Sequence, residues 1–280
     1  MSRSLRLVPL FVFVLAATLL AGCGVDSRPA PEVPALETRA DTVAMRLYEA
    51  HGGPAAWASM PYLRFDFGVE RNGETHVVAK HLWNRHTGAY RLEWQAGPDS
   101  QYVALFDVDA FGEGASESAP DAGQVYLNGA AVDAAANAEL LRRAHQRFVN
   151  DTYWLLAPVK AFDPGVNRAY VADSSDARHD VIRLTFGDVG LTPGDRYWLY
   201  VNAETGRLDR WAFHLQGMDD EAAPRAFAWT DYRAFDVPGG TVHLAARKEA
   251  QEGEGGIVFP TLDVPASVPD DAFTNPEPQL

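Results

Sequence analysis

Three of the eight histidines lie close together in the stretch HVVAKHLWNRH, at His76, His81 and His86. Neutral imidazoles at short spacing can bind a metal ion, so this stretch is the first candidate for chemistry. On a strand, however, His76 and His81 point to opposite faces because their separation is odd, and His86 falls in the next turn. We therefore predict no shared metal site and interpret these histidines as surface or strand-end residues.

A calcium loop is the second candidate, in the stretch that begins at Asp107. Asp107, Asp109 and Gly112 match positions one, three and six of an EF-hand loop. Position five is Phe111 and position twelve is Ser118, where the loop requires an oxygen ligand and a bidentate Glu. This mismatch argues against an EF-hand. Loose calcium binding at the protein surface remains an alternative.

Paired carboxylates are the third candidate, because two acids can serve as general acid and base in hydrolysis. Acids near predicted strand ends usually form turns or remain solvated. The sequence contains no G-x-S-x-G, H-E-x-x-H or Walker motif. We predict no catalytic residue and no cofactor, and keep a carboxylate-dependent hydrolase as the least favoured function. The acids considered are Asp163, Asp180, Asp188, Asp195 and Asp231.

Cys23 is the only cysteine, so neither an intrachain disulfide nor a cysteine-rich metal site can form. It follows the apolar run LVPLFVFVLAATLLAG, which has Arg3 and Arg6 before it and small residues at its end. A positive flank, a short apolar core and a small-residue cleavage site predict a secretory signal over residues 1–22. The run is shorter than the roughly 20 residues that span a bilayer.

Leu20-Ala21-Gly22-Cys23 resembles the lipobox of bacterial lipoproteins. The resemblance implies that the signal is cut before Cys23 and that the Cys23 thiol is acylated, which anchors the chain to a membrane. An ordinary signal peptide with an incidental cysteine is the alternative. Gly24 follows, and no Asp stands there, which resembles the pattern exported to the outer membrane. We expect a lipid-anchored envelope protein, on either the periplasmic or the surface face.

Composition limits the partners and the domain organisation. The net charge of -14 argues against binding nucleic acid. Residues 23–36 are rich in proline and small polar residues, which predicts a lipidated tether without a core of its own. Residues 37–280 show no further long linker, so we predict that they form a single domain.

Periodicity of the apolar residues predicts two helices before the strands and a third between them. Residues 37–53 have helical spacing and end at a glycine pair, and a short helical turn opens at Pro54. Residues 133–158 form the longest helical segment, beginning at an Asp133 cap, and 150–151 is the place where it could break.

The remaining segments alternate apolar and polar residues, as in YLRFDFGVE, which predicts antiparallel strands. The Asn-Gly pair at 72–73 predicts a hairpin. No alternation of strands and helices typical of a parallel nucleotide-binding sheet occurs. We therefore predict an α+β fold, a curved antiparallel sheet with helices packed on its concave face.

Two aromatic segments, NDTYWLLAPVKAFDPGV and LTPGDRYWLYVNAETGRLDRWAF, are the most distinctive in the chain. One interpretation is a helix end packed on the sheet, with Lys160 simply exposed. The other is that Trp154, Tyr197 and Trp211 line an apolar cavity, with Lys160 or Arg196 at its rim to meet a polar head group.

Together with AHGGPAAW and the lipobox, these segments resemble a family of bacterial lipoproteins that is similar to the LolA-like lipoprotein carriers and their outer-membrane receptor. The resemblance extends from about Ala50 to Trp211. It implies an incomplete, half-open β-barrel whose apolar interior accepts acyl chains. Residues 109–123 are acidic and small where that receptor has a protruding apolar loop, so we do not expect a lipoprotein-insertion receptor. The candidate lining residues are Trp83, Trp94, Trp154, Tyr197 and Trp211.

The favoured function is therefore a non-catalytic envelope lipoprotein that binds or carries a lipid or a lipoprotein acyl chain. The alternative is a structural or interaction lipoprotein whose cavity is filled by its own side chains, with a protein partner that the sequence does not identify.

Overall fold

The computed structural model describes residues 35–111, 119–187 and 191–280. The predicted signal peptide, Cys23 and all but the end of the tether lie outside the described residues. So do the calcium-loop positions from Gly112 to Ser118, and Asp188.

Three α-helices occur in the described part of the chain, where the periodicity predicts them. The first begins after a capping box, in which Thr38 accepts from the Asp41 amide and the Asp41 carboxylate accepts from the Thr38 amide. The third begins at the predicted cap, since the Asp133 carboxylate accepts from the Ala136 amide at 2.9 Å. The helices are α1 Arg39–Ala50, α2 Gly53–Ser59 and α3 Ala134–Leu156.

The strands of the described residues all belong to one sheet. The predicted first hairpin is present, with Asn72 and Gly73 at positive φ as a tight turn requires. The strands are β1 Tyr62–Arg71, β2 Glu74–Asn84, β3 Ala89–Gln95, β4 Gln101–Asp107, β5 Gly123–Leu127, β6 Ala130–Ala131, β7 Val166–Tyr170, β8 His179–Phe186, β9 Arg196–Asn202, β10 Leu208–His214, β11 Arg225–Val237, β12 Gly240–Ala250, β13 Gly256–Val258 and β14 Leu262–Asp263.

The sheet is antiparallel and not closed. Its order is β6-β5-β4-β3-β2-β1-β13-β12-β11-β10-β9-β8-β7, and β14 pairs with β1. Chain-distant strands β1, β13 and β12 therefore join the two halves of the sheet in its middle. The predicted fold class, an α+β protein with an open antiparallel sheet and packed helices, is confirmed.

Two apolar clusters fill the space between the sheet and the helices. The larger contains the inward side chains of β1 to β5 and β12, packed against α2 and α3. The smaller contains inward side chains of β8 to β11, packed against α1. Trp154, near the end of α3, contacts both clusters. The end of α3 is therefore where the two halves of the core meet.

Two expectations from the sequence are wrong. The α3 helix does not break at Asn150-Asp151 but continues to Leu156, because Asp151 turns inward to the buried His81 and the last turn packs its leucines in the core. His81 is not a surface residue. It is fully buried, its Nδ1 lies 2.7 Å from the Tyr90 hydroxyl, and its Nε2 lies 3.2 Å from the Asp151 carboxylate.

Candidate ligand-binding cavity

A cavity of about 550 Å³ lies where the last turns of α3 meet β8 to β11. Its volume is within the range of small-molecule sites. Most of its wall is aromatic or aliphatic. The lining residues are Val149, Asn150, Tyr153, Trp154, Phe186, Leu191, Thr192, Asp195, Tyr197, Trp211, Phe213, Leu215, Gln216, Gly217, Met218 and Arg225.

Alternation along two neighbouring strands produces the aromatic wall. Trp211 and Phe213 share one face of β10, and Phe227 of β11 pairs directly with Trp211 in the sheet register. Trp154 of α3 packs edge-on against this stripe, with its ring centroid 4.8 Å from Trp211 and 5.0 Å from Phe227. The helix end and the sheet therefore hold the wall in a fixed geometry.

Two tyrosines continue the wall toward β9. The Tyr197 ring lies 5.2 Å from Trp211 and 5.1 Å from Tyr153, between centroids. Burial raises the pKa of both phenols well above the usual value, so both remain protonated hydrogen-bond donors.

Asp195 is the one acid in the lining, and its carboxylate is already occupied. It is buried and accepts from the Thr192 hydroxyl at 2.6 Å, the Tyr197 hydroxyl at 3.2 Å and the Gln216 amide at 2.8 Å. Asp195 lies in a turn, as the sequence indicates, but the expectation that its charge is solvated is wrong. Asp195 ties the segment 215–218 to the start of β9.

We expect Asp195→Ala to lower the free energy of unfolding by about 1–3 kcal/mol, because it removes a charged acceptor that three donors share. Denaturant unfolding measures this loss, and hydrogen exchange should show faster exchange at the Gln216 amide. Asp163→Ala is the matched control. It removes a half-exposed ion pair with Lys160 and should change stability by less than about 1 kcal/mol. An equal loss in the two variants contradicts the role of Asp195.

The cation at the opening is Arg225, which the sequence analysis missed. It is exposed and lines the cavity, and its guanidinium forms no hydrogen bond or ion pair with another described side chain. The two predicted rim cations are engaged elsewhere. Lys160 pairs with Asp163 at 3.0 Å, and Arg196 donates to His214 Nδ1 at 3.0 Å.

The structure brings three of the five predicted lining aromatics together, Trp154, Tyr197 and Trp211. The other two lie in the opposite half of the sheet. Trp83 is buried against Phe148, with a centroid distance of 5.2 Å, and Trp94 stacks on Tyr102 at 4.9 Å. Neither Trp83 nor Trp94 lines this cavity.

The sequence held a signal for two of the lining residues that were missed, Tyr153 and Arg225. Tyr153 directly precedes Trp154 in the quoted segment. In RAFAW, the residues at 225, 227 and 229 fall on one face of a strand, which places Arg225 beside the aromatic stripe. The sequence does not show which elements lie next to that strand. The cavity depends on this placement, because it forms where α3 crosses β10 and β11.

Within residues 35–111, 119–187 and 191–280, no group of three or more histidine and acidic side chains is arranged to hold a metal ion. The same ranges contain no helix that is both long and apolar enough to cross a membrane.

No family model matches this sequence, and no curated protein matches it. Among solved structures, the chain is similar to a DUF1329 family protein from Desulfovibrio piger at 10% identity and a TM-score of 0.41, over 83% of this chain and 94% of that one. It is also similar to a putative outer membrane lipoprotein-sorting protein domain from Vibrio parahaemolyticus, at 7% identity and a TM-score of 0.39, over 83% and 95%. A LolA superfamily protein from Nitrosomonas europaea gives 11% identity and a TM-score of 0.36, over 84% and 97%.

All three similarities are at 11% identity or less and at TM-scores below 0.5. At these identities the ligand has to be inferred from the side chains of this chain.

Proposed function

We propose that this chain binds or carries an apolar ligand, a lipid or the acyl chain of a lipoprotein, in the aromatic cavity at the end of α3. The observation that carries the proposal is the cavity itself, about 550 Å³ in volume and walled by Tyr153, Trp154, Tyr197, Trp211 and Phe213. Binding needs no covalent step, because each buried methylene contributes about 0.8 kcal/mol.

The opening of the cavity suits an amphiphile. The exposed residues of its lining are Thr192, Gln216, Gly217 and Arg225, whereas Trp211 is only 1% exposed. An acyl chain placed against the buried rings would leave its head group beside the Arg225 guanidinium. We therefore expect the chain to enter first and the head group to remain at the opening.

Acylation at Cys23 would hold this domain at a membrane. The proposal keeps residues 1–22 as a signal peptide, 23–36 as a lipidated tether and 37–280 as a single LolA-like domain of an outer-membrane lipoprotein. A fully extended tether over residues 23–36 would span about 50 Å. That length would let the cavity reach lipid or protein beyond the membrane surface.

The proposal predicts that a charge in the cavity wall abolishes ligand binding. Leu215 is a half-buried lining residue, so Leu215→Lys places an ammonium group against the acyl chain. We expect native mass spectrometry of the full chain to show non-covalent lipid on the wild type. The occupancy should fall at least tenfold in the variant.

Leu36→Lys is the matched control. Leu36 is 47% exposed and lies before α1, so the same substitution there should leave lipid occupancy unchanged. Retention of lipid by Leu215→Lys contradicts the cavity as the binding site. A wild-type chain that carries no lipid and takes up no added palmitoyl lysophosphatidylcholine contradicts the function and favours an interaction lipoprotein.

A further inference from the structure

The outer face of β8, β9 and β10, which points away from the helices, carries a group of arginine and aromatic side chains. Alternation along β9 turns Trp198 and Tyr200 outward, because the residues on either side of each belong to the core. The sheet register places Arg183 of β8 directly beside Trp198, and Arg210 of β10 directly beside Tyr200. We call these four residues the arginine–aromatic face.

The surroundings of this face are small or uncharged. Toward β11, the register neighbours are Ala212 and Ala228. Among the described strands, no acid occupies a register position next to the four residues. At the margin, Asp209 of the β10 bulge accepts from an asparagine side chain of β9 at 2.8 Å. Farther across the sheet, Glu249 pairs with an arginine of its own strand at 3.0 Å. The flanking acids are therefore engaged elsewhere.

Both cations of the arginine–aromatic face are available to a partner. Arg183 is exposed, and no carboxylate of the described residues lies within ion-pair distance of either arginine. The Arg210 guanidinium carbon lies 3.7 Å from the centroid of the Tyr200 ring, which holds this cation flat against the sheet. The chain as a whole has a net charge of -14. Because salt screens charges beyond about 8–10 Å, the local cations decide what approaches this face.

The side-chain types of this face suit the head-group region of a membrane. Tryptophan and tyrosine combine an apolar ring with a polar tip and are enriched at membrane–water interfaces. Arginine binds phosphate oxygens through two parallel hydrogen bonds. Both rings are half-buried beside alanines on a sheet surface. This arrangement favours a shallow contact with lipid head groups over the deeply seated anchors of a protein interface.

We propose that the arginine–aromatic face docks on the surface of an anionic phospholipid bilayer, with its arginines on lipid phosphates. The start of α1 lies beside the same half of the sheet, since Arg39 pairs with Asp180 of β8 at 3.0 Å. A tether from an acylated Cys23 to this point would keep the face near the membrane, so that a weak attraction is enough. The inference goes beyond ligand binding and does not depend on the cavity.

A fluorophore placed on the face tests the docking. Ala228→Cys introduces a thiol beside Arg210, and parallel labelling of the wild type measures any signal from Cys23, the only native cysteine. The labelled full chain is mixed with vesicles of phosphatidylcholine, alone or with phosphatidylglycerol. We expect a blue shift of the emission only with phosphatidylglycerol, and its loss at high salt. Ala135→Cys, at an exposed site in the first turn of α3, should show no shift.

Removal of one cation should weaken the docking measurably. Arg183→Gln in the labelled chain should lower the ratio of docked to undocked chain about fivefold, because one arginine near an anionic surface contributes about this factor. Arg71→Gln is the matched control. Arg71 is exposed in the first hairpin, so the same loss of charge there should leave the ratio unchanged. Equal losses in the two variants overturn the inference, because net charge then governs the attraction.

The remaining outcomes also decide. An equal blue shift on both kinds of vesicle overturns the inference, because the arginines then contribute nothing. The absence of a shift on either vesicle overturns it as well, and a shift on addition of polyglutamate would then assign the face to an acidic protein. Native mass spectrometry of lipid in the cavity is a separate measurement. Failure of the docking therefore leaves the proposed function intact.

Discussion

Replacing Arg91 with methionine is expected to lower the free energy of unfolding by about 3–5 kcal/mol, because it leaves the Glu93 carboxylate buried without its cation. Both side chains are almost completely buried, and Arg91 Nε donates to Glu93 at 2.6 Å. Denaturant unfolding at neutral pH measures the loss.

The C-terminal segment is the reason that this pair is buried. Arg91 donates to the backbone carbonyls of Ala272, Asn275 and Glu277, and the Glu93 carboxylate accepts from the amide of Gln279 at 2.7 Å. The segment forms no helix or strand after β14, yet it lies across β3 and covers two charges. Arg91→Met should therefore also increase proteolysis of residues 271–280.

Two controls make the result specific. Arg143→Met removes an exposed helical ion pair with Glu139 and should change stability by less than about 1 kcal/mol. The double variant Arg91→Met, Glu93→Leu should recover part of the loss, because a buried apolar pair needs no compensating charge. A double variant that is less stable than Arg91→Met alone would contradict the buried-charge explanation.

The Arg91–Glu93 pair also shows which kind of contact a sequence pattern cannot predict. In AYRLEWQ, Tyr90 and Leu92 alternate with Arg91 and Glu93, which predicts one buried and one solvated face of a strand. The first half of that prediction is confirmed. The second fails because a segment about 180 residues later in the chain covers the polar face, and alternation carries no information about such a contact.

The residues that line the cavity could also be predicted only in part. Two aromatic segments and the resemblance to LolA-like proteins led to Trp154, Tyr197 and Trp211 as candidates, and all three line the cavity. Trp83 and Trp94, which came from the resemblance alone, belong to the other half of the sheet. Only the strand order separates the two sets, and strand order depends on long-range pairing.

The second large effect concerns Lys248, the one lysine of the described residues that is completely buried. Its Nζ lies 4.2 Å from the ring centroid of Trp229 and 4.5 Å from that of Phe259, and it donates to the Ala245 carbonyl. No carboxylate among the described residues pairs with it. Burial therefore lowers the pKa of this amine well below its usual value.

We expect Lys248→Met to raise the free energy of unfolding at neutral pH by on the order of 2 kcal/mol, since a thioether of similar length needs no hydration or partner. The pH dependence should change as well. Below about pH 10.4 the unfolded chain holds a proton on this amine, and the folded chain does not above the lowered pKa. Wild-type stability therefore rises with pH through that window, and the variant should lose this contribution.

Lys160→Met supplies the matched control, because Lys160 is partly exposed beside Asp163 and the same substitution there should leave the slope unchanged. Unfolding curves from pH 6 to 10 measure both quantities. A loss of stability in Lys248→Met, with the wild-type slope retained, would mean that the buried amine is charged and held by the two rings. The expected gain of stability in Lys248→Met would mean that the Lys248 amine is neutral in the folded chain. This neutral amine then weakens the middle of the sheet, where β11, β12 and β13 meet.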